Sequence, residues 1–159
     1  MVRAGSMRVI SAADRARLCA ELGELGVPPD RCEAAADRVV AAISQTLADE
    51  RGRWLLGMTN KLTEAESELA LTGVFNGELV AGVIDRTFVD EHGVRWIVDF
   101  KTGTHEGGGL EQFLNEEVRR YRDQLHRYAR LMRLFRPGQP VRAALYFPLM
   151  KQWREVSLS

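Results

Sequence analysis

Two strand-like apolar segments in the middle of the chain carry charged side chains where strands usually bury apolar ones. Asp85 lies within residues 82–88, and Asp99 and Lys101 lie within residues 96–103. A carboxylate among apolar side chains destabilises a fold unless it is paired with a positive charge or bound to a metal. The fold must therefore bring a compensating charge to these two acids.

A hairpin between the two segments would bring the acids together. Residues 91–93 contain a glycine and predict a three-residue loop between antiparallel strands. In that register Asp85 faces Asp99 with Cβ atoms about 5 Å apart, and Lys101 shares their face because side chains alternate with period two. A register slip of one residue would instead place the acids on opposite faces.

Two facing carboxylates repel each other and form a natural site for a hard cation. Mg²⁺ or Mn²⁺, bound through carboxylate oxygens and waters, would convert the repulsion into coordination. Lys101 would then hold an attacking water or offset charge on a scissile phosphate. The sequence therefore predicts a divalent-cation site at Asp85 and Asp99.

A purely structural alternative is that these charges form salt bridges on a solvated sheet face. Asp85 would pair with Arg86 or Arg95, and Asp99 would pair with Lys101. The apolar residues that flank the charges in both segments argue against a solvated face.

Composition favours one compact domain. The chain has 159 residues, of which 45% are hydrophobic, enough for one sizeable core but not for an additional motor domain. It has no Gly-x-x-x-x-Gly-Lys-Ser/Thr phosphate loop, no apolar run long enough to span a bilayer and no signal-peptide core. We expect a cytoplasmic protein without a membrane partner, in which Cys19 and Cys32 are reduced packing residues.

Hydrophobic periodicity and turn signals predict a mixed α/β fold. Ser11 and Asp14 form a capping-box pattern for a first helix, and Asn76-Gly77 is a strong hairpin signal. The predicted helices cover residues 11–26, 30–50 and 110–135, and the predicted strands cover 68–75, 78–89, 94–101, 141–147 and 153–157. Residues 51–60 remain ambiguous.

The charge distribution is uneven although the net charge is zero. Seven arginines lie between residues 119 and 136: Arg119, Arg120, Arg122, Arg127, Arg130, Arg133 and Arg136. Such a helix could follow the phosphates of a nucleic acid. It could equally be a solvated helix face whose arginine stems cover apolar neighbours.

The predicted order of elements, αβββαβ after an N-terminal helical extension, resembles the core of PD-(D/E)XK nucleases. Four separated motifs occur along the chain: Gly-Val-Ile-Asp-Arg-Thr-Phe at 82–88, Trp-Ile-Val-Asp-Phe-Lys-Thr-Gly at 96–103, Tyr-Arg-Asp-Gln-Leu-His-Arg-Tyr-Ala at 121–129 and Leu-Tyr-Phe-Pro at 145–148. They resemble RecB-like exonuclease domains, and more narrowly the C-terminal nuclease of AddA/RecB-type (UvrD-like) helicase-nucleases. On this basis we expect a single domain, 1–159, with a helical region at 7–57 and the nuclease core at 64–159.

The resemblance implies a Mg²⁺- or Mn²⁺-dependent deoxyribonuclease, expected to be an exonuclease in DNA end processing or recombinational repair. DNA would be its substrate, and a helicase motor subunit or domain would be a possible partner. Asp85 and Asp99 would bind the metal together with the Phe100 carbonyl, and Lys101 would be the catalytic lysine. Gln124 and Tyr128 match the family's Gln-x-x-x-Tyr motif and complete the expected catalytic set.

Several of these residues have other possible roles. Gln124 and Tyr128 lie on adjacent turns of one helix face, where Tyr128 also continues the apolar stripe and could serve packing alone. Arg120 and Arg127 are candidate DNA contacts, and so is His105, beside the glycine-rich loop. The acids just before the first predicted strand, Glu66 and Glu68, are candidates for an additional metal ligand.

One departure from the family pattern concerns histidine. RecB-like nucleases usually carry a histidine on an early helix that completes the metal site, whereas the histidines of this chain are His92, His105 and His126. Three explanations stay open: a fragment that begins after that motif, a stand-alone relative with a weakened metal site, or an inactive module that binds DNA or a helicase.

Overall fold

The structure is a computed structural model in which residues 11–158 are described. The chain divides into two compact units, residues 1–44 and 45–159, with the boundary inside a helix. The described part of the first unit contains α1 (Ala12–Glu24) and most of α2 (Cys32–Ala48), with a 3₁₀ turn (Pro29–Arg31) between them. The predicted division into residues 7–57 and 64–159 within one domain stays a prediction.

The first helix begins as its sequence predicts. The Ser11 hydroxyl accepts a hydrogen bond from the Asp14 backbone N–H (3.2 Å), and the Asp14 carboxylate accepts one from the Ser11 N–H (2.9 Å). This reciprocal capping box satisfies N–H groups that a helix start otherwise leaves unpaired. Both cysteines are free thiols, and Cys32 Sγ donates to the Cys19 carbonyl.

The second unit is built on a five-stranded mixed sheet. Its strands are β1 (Thr63–Phe75), β2 (Glu78–Val89), β3 (Arg95–Phe100), β4 (Val141–Phe147) and β5 (Gln152–Val156). They lie in the order β1-β2-β3-β4-β5, and only the β3–β4 pair is parallel. Helices α3 (Glu50–Leu55) and α4 (Leu110–Phe135) complete this unit. Within residues 11–158, the five strands and four helices confirm the predicted mixed α/β fold.

The bounds of five elements differ from the sequence-based prediction, and those of α1 (predicted over 11–26) and β5 (predicted over 153–157) differ by only one or two residues at each end. The helix predicted over 30–50 ends at Ala48, because Asp49 caps the separate helix α3 by accepting from the Gly52 N–H (3.1 Å). Strand β1 begins at Thr63 rather than residue 68, and β3 ends at Phe100 rather than residue 101. Helix α4 and strands β2 and β4 have the predicted bounds.

The two faces of the sheet bury different apolar clusters. The α4 face includes Ile84, Ile97, Leu114, Leu125, Met132, Leu145 and Phe147. The α3 face includes Leu55, Phe88, Trp96, Val98, Ala144 and Tyr146. Alternate residues of β3 and β4 thus enter opposite clusters, as the pleat of a strand requires.

The predicted hairpin register is confirmed over the observed pairs. Asn76 and Gly77 both have positive φ (50° and 82°), as a two-residue primed turn requires. At the second hairpin the Gly93 N–H bonds to the Asp90 carbonyl (3.0 Å), and the β2–β3 pairs run from Val89 opposite Arg95 to Arg86 opposite Val98.

The side-chain alternation of β2 changes phase at Asp85. Ile84 packs in the α4 cluster, whereas Arg86 donates from Nε to the Leu55 carbonyl of α3 (3.2 Å). Strict alternation would put both residues on one face. Glu68, which lies opposite Asp85 between observed β1–β2 pairs, has a left-handed φ of 53°. The irregular conformation therefore coincides with one of the two predicted acids.

None of the helices within residues 11–158 has both the length and the apolar character needed to span a bilayer.

Candidate active site

The two predicted acids lie where β2 and β3 separate. The observed β2–β3 pairing stops at Arg86 opposite Val98, and the same register continued by one step places Asp85 beside Asp99. Beyond that point the Asp85 carboxylate accepts a hydrogen bond from the Phe100 backbone N–H (2.8 Å). At the edge of the site, a hydrogen bond to the Asp85 side chain thus replaces the backbone hydrogen bonds between β2 and β3.

Asp99 is a buried carboxylate with a partner on each oxygen. The residue is 3% exposed. Its Oδ2 forms an ion pair with the Lys101 ammonium, and its Oδ1 accepts a hydrogen bond from Gln124 Nε2 (3.3 Å). The acid is therefore held between the residue that follows β3 and helix α4.

Burial raises the pKa of the Asp99 carboxyl, because a charged group is disfavoured away from water. The Lys101 ammonium opposes this rise, while the negative charge of Asp85 adds to it. The two acids are thus close enough to interact electrostatically. A cation between them would stabilise the charged form of both.

The backbone and the ammonium of Lys101 are both held by neighbouring elements. Its N–H donates to the Tyr146 carbonyl of β4 (2.8 Å), so the chain stays aligned with β4 after β3 ends. Its Nζ lies 3.5 Å from the centre of the Tyr121 ring on α4, in addition to the Asp99 ion pair. The side chain is 17% exposed. The Lys101 side chain therefore reaches the solvent-exposed edge of the site while its ammonium stays paired with Asp99.

Helix α4 supplies the other two predicted residues. Gln124 Nε2 donates to the Tyr128 hydroxyl (2.8 Å) as well as to Asp99. The Tyr128 ring is buried in the α4 cluster, above Gly82 of β2. A side chain at position 82 would overlap the ring, so the glycine lets the helix approach the sheet closely. The five predicted residues Asp85, Asp99, Lys101, Gln124 and Tyr128 thus come together.

The donor set fits a hard divalent cation. Two carboxylates and the Phe100 backbone carbonyl are oxygen ligands, and Mg²⁺ usually keeps several waters while binding one or two carboxylates. Within residues 11–158 no group of three or more His, Cys, Asp or Glu side chains is arranged to hold a metal. Two acids, a carbonyl and waters are therefore the set that this site offers.

The structural alternative holds only in part. Asp99 does pair with Lys101, but the pair is buried rather than on a solvated face. Arg86 bonds to the Leu55 carbonyl and to Ser67, and Arg95 pairs with Glu64. The arginines proposed as partners of Asp85 are engaged elsewhere.

The candidate DNA-binding residues lie on α4 and in the glycine-rich loop before it. Arg120 and Arg127 are exposed on α4 on either side of Gln124, and Arg120 also pairs with Glu117 (3.3 Å). His105 stacks on Phe113 with ring centres 5.0 Å apart.

His105 and the two acids expected before the first strand have local structural settings. The His105 ring bonds to the Gly108 carbonyl (2.9 Å), a contact that shapes the glycine-rich loop. Glu66 and Glu68 are exposed and lie within β1 rather than before it.

Two side-chain contacts of the second unit have no counterpart in the sequence-based prediction. The Tyr121 ring of α4 contacts the Lys101 ammonium. Arg95 is fully buried beside Glu64. The position of Tyr121 three residues before Gln124 on one helix face was the available signal for the first; the sequence carries none for the second.

Comparison with models of known protein families gives a match over most of the chain. The family model of the PD-(D/E)XK nuclease superfamily matches residues 7–157, nearly the whole chain. No curated protein sequence matches the chain significantly.

Proposed function

Because the chain belongs to the PD-(D/E)XK nuclease superfamily, we propose that it is a DNA nuclease that hydrolyses phosphodiester bonds with Mg²⁺ or Mn²⁺. One observation carries the proposal. Asp99 is buried, yet it lies beside a second carboxylate and is contacted by Lys101 and Gln124 from separate elements. Fold stability alone gives no reason to bury a carboxylate next to another one.

Each residue of the cluster has a chemical role in this proposal. Asp85, Asp99 and the Phe100 carbonyl hold the cation, which when bound supplies Lewis-acid stabilisation of phosphate charge and activation of water. The Lys101 ammonium orients the attacking water and stabilises the negative charge that develops on the phosphate. Gln124 fixes the orientation of Asp99, and the Tyr128 hydroxyl accepts the second Gln124 hydrogen bond.

The narrower proposal is an exonuclease of the AddA/RecB type that acts in DNA end processing or recombinational repair. It rests on the four sequence motifs and on the Gln124–Tyr128 pair. In this proposal Arg120, Arg127 and the neighbouring exposed arginines of α4 contact DNA phosphates. A helicase motor subunit or domain would deliver the DNA.

A second candidate function is an inactive module of the same fold that binds DNA or a helicase. The Lys101–Asp99 ion pair favours it, because an ammonium already occupies a carboxylate that an active site would offer to the cation. Such a module would bind DNA through the α4 arginines without cleaving it.

Cleavage of linear single- and double-stranded DNA with Mg²⁺ or Mn²⁺ tests the proposal. We expect the purified chain to cut, and Lys101→Ala and Asp99→Ala to abolish cleavage while keeping the native circular dichroism spectrum. Lys61→Ala, at an exposed position before β1, is the matched control and should cut normally. Cleavage retained by Lys101→Ala would refute the assignment of this site.

DNA binding without cleavage separates the second function from the first. A module would bind DNA in a salt-dependent manner and show no cleavage with either metal. Lys101→Ala would leave its affinity unchanged. A nuclease inhibited by its own ion pair would instead cut once the metal concentration is raised.

A further inference from the structure

The ammonium of Lys101 has two partners of different chemical kinds. One is the Asp99 carboxylate, and the other is the face of the Tyr121 ring, whose centre lies 3.5 Å from Nζ. An ammonium over an aromatic face is attracted by the ring quadrupole, and more strongly where water is excluded. Arg120 also approaches this ring but its guanidinium carbon is 5.9 Å from the centre, so Lys101 is the principal cation on the ring.

Helix α4 and the apolar core position the Tyr121 ring, so the ring can in turn position the Lys101 ammonium. It lies near the middle of α4 and packs against the buried α4 cluster. Gln124 follows three residues later on the same helix face and contacts Asp99. The same helix therefore contacts both the acid and the ammonium.

We propose that Tyr121 is a positioning residue that keeps the Lys101 ammonium at the active site when Asp99 binds a divalent cation. This inference rests on the proposed nuclease function. The ring contact identifies a holder for Lys101 that does not depend on Asp99.

Charge explains why such a holder is needed. The flexible four-carbon stem of a lysine does not fix its ammonium by itself. While Asp99 faces only Lys101, the ion pair is sufficient. Once Asp99 also ligates a divalent cation, its charge is shared and the two positive groups repel each other. The uncharged ring keeps its attraction for the ammonium under both conditions.

Nuclear magnetic resonance of the full chain tests the contact directly. Protons above an aromatic face are shifted upfield, so the Lys101 ε-methylene should resonate upfield of the other lysines. The shift should persist at saturating Mg²⁺, remain in Tyr121→Phe and disappear in Tyr121→Leu. The wild-type comparison with and without Mg²⁺ needs no variant and decides the matter even if Tyr121→Leu does not fold.

Kinetics supplies the second measurement. Tyr121→Phe keeps the ring face and should keep kcat, whereas Tyr121→Leu should lose about tenfold or more in kcat. The KM for DNA should stay within about twofold, since the ring acts on a group needed in the transition state. Val118→Ala, which truncates a neighbour packed against the same cluster, is the control for lost packing and should leave kcat unchanged.

The outcomes distinguish this inference from the function on which it rests. A wild-type chain that does not cleave would refute the nuclease, and the Mg²⁺ comparison would still decide the role of Tyr121. Three results would overturn the proposal: a Lys101 resonance without an upfield shift, a shift lost on adding Mg²⁺, or full kcat in Tyr121→Leu.

Discussion

At the scale of single residues, one amide group organises the candidate site. Gln124 Nε2 donates both to Asp99 Oδ1 and to the Tyr128 hydroxyl. The sequence left open whether Tyr128 serves packing or the site. In the structure it serves both, because its ring is buried in the core while its hydroxyl accepts a hydrogen bond from Gln124. The two roles belong to different atoms and can be separated by mutation.

We expect Gln124→Leu to reduce kcat roughly tenfold to a hundredfold, because a hydrogen bond to a charged group contributes about 1.5–3 kcal/mol. Tyr128→Phe keeps the buried ring and removes only an acceptor from Gln124, so its loss should be smaller. Single-turnover cleavage assays on both variants measure the difference.

The control for the glutamine substitution is Gln112→Leu. Gln112 is exposed on the same helix and bonds to Glu116 (3.0 Å). The Gln112→Leu variant should cleave DNA like the wild type. A larger defect in Tyr128→Phe than in Gln124→Leu would contradict the assigned order of contacts.

At the scale of elements, the sequence predicted the strands because their signals are local. Asn76-Gly77 and Gly93 supply the positive φ that the two hairpins require, and each turn then sets the register of its strands. The bounds of α4 followed from its periodic apolar stripe and from Pro137-Gly138 after it. This local information was enough to place Asp85 beside Asp99.

The unpredicted features depend on contacts between distant segments. The phase change at Asp85 accompanies a left-handed backbone conformation at Glu68. Glycine or asparagine is the usual sequence signal for that conformation, and position 68 has neither. Asp49 ends α2 and also accepts a hydrogen bond from the Tyr146 hydroxyl of β4 (2.9 Å). Tertiary partners of this kind outweigh local propensity, and one sequence does not display them.

The packing of α4 on β2 yields the prediction at this scale. We expect Gly82→Ala to destabilise the fold by ~1–3 kcal/mol through overpacking, since the new methyl group overlaps the buried Tyr128 ring. Cleavage should fall as well, because a displaced ring moves the hydroxyl away from Gln124. Chemical denaturation and cleavage assays measure the two effects.

Gly73→Ala is the matched comparison for this substitution. Gly73 also faces α4, but a methyl group there would lie 3.1 Å from Leu131 Cδ2 and not at the site. It should affect stability alone. Equal loss of activity in both variants, at equal loss of stability, would show that Gly82 acts only through folding.

At the scale of the whole second unit, an ion cluster joins segments that are distant in sequence. The Arg95 guanidinium, buried at the start of β3, pairs with Glu64 of β1 and bonds to Gln139 after α4. Arg136, next to the end of α4, also reaches Glu64 (3.4 Å). The cluster therefore links β1 and β3 to the connection between α4 and β4.

Because of this cluster, we expect the stability of the fold to decrease at acid pH. The hydrogen bond and charge of Arg95, aided by Arg136, lower the pKa of Glu64 despite an opposing effect of burial. The unfolded chain binds a proton at Glu64 near pH 4.3, about the ordinary value, and the folded chain binds one only at lower pH. The stabilisation is thus present above about pH 4.3 and is lost as the pH falls through the folded pKa.

We therefore expect Glu64→Gln to lower the unfolding temperature at pH 7, where it leaves the buried Arg95 without its carboxylate. Below about pH 4.3 the difference between the variant and the wild type should narrow as the pH falls, because the wild type loses the same interaction by protonation. Glu66→Gln, two residues along β1 and exposed, should match the wild type throughout. Thermal unfolding followed by circular dichroism from pH 3 to pH 7 measures all three proteins. A Glu64→Gln curve that runs parallel to the wild type over this whole range would show that the acid dependence arises elsewhere.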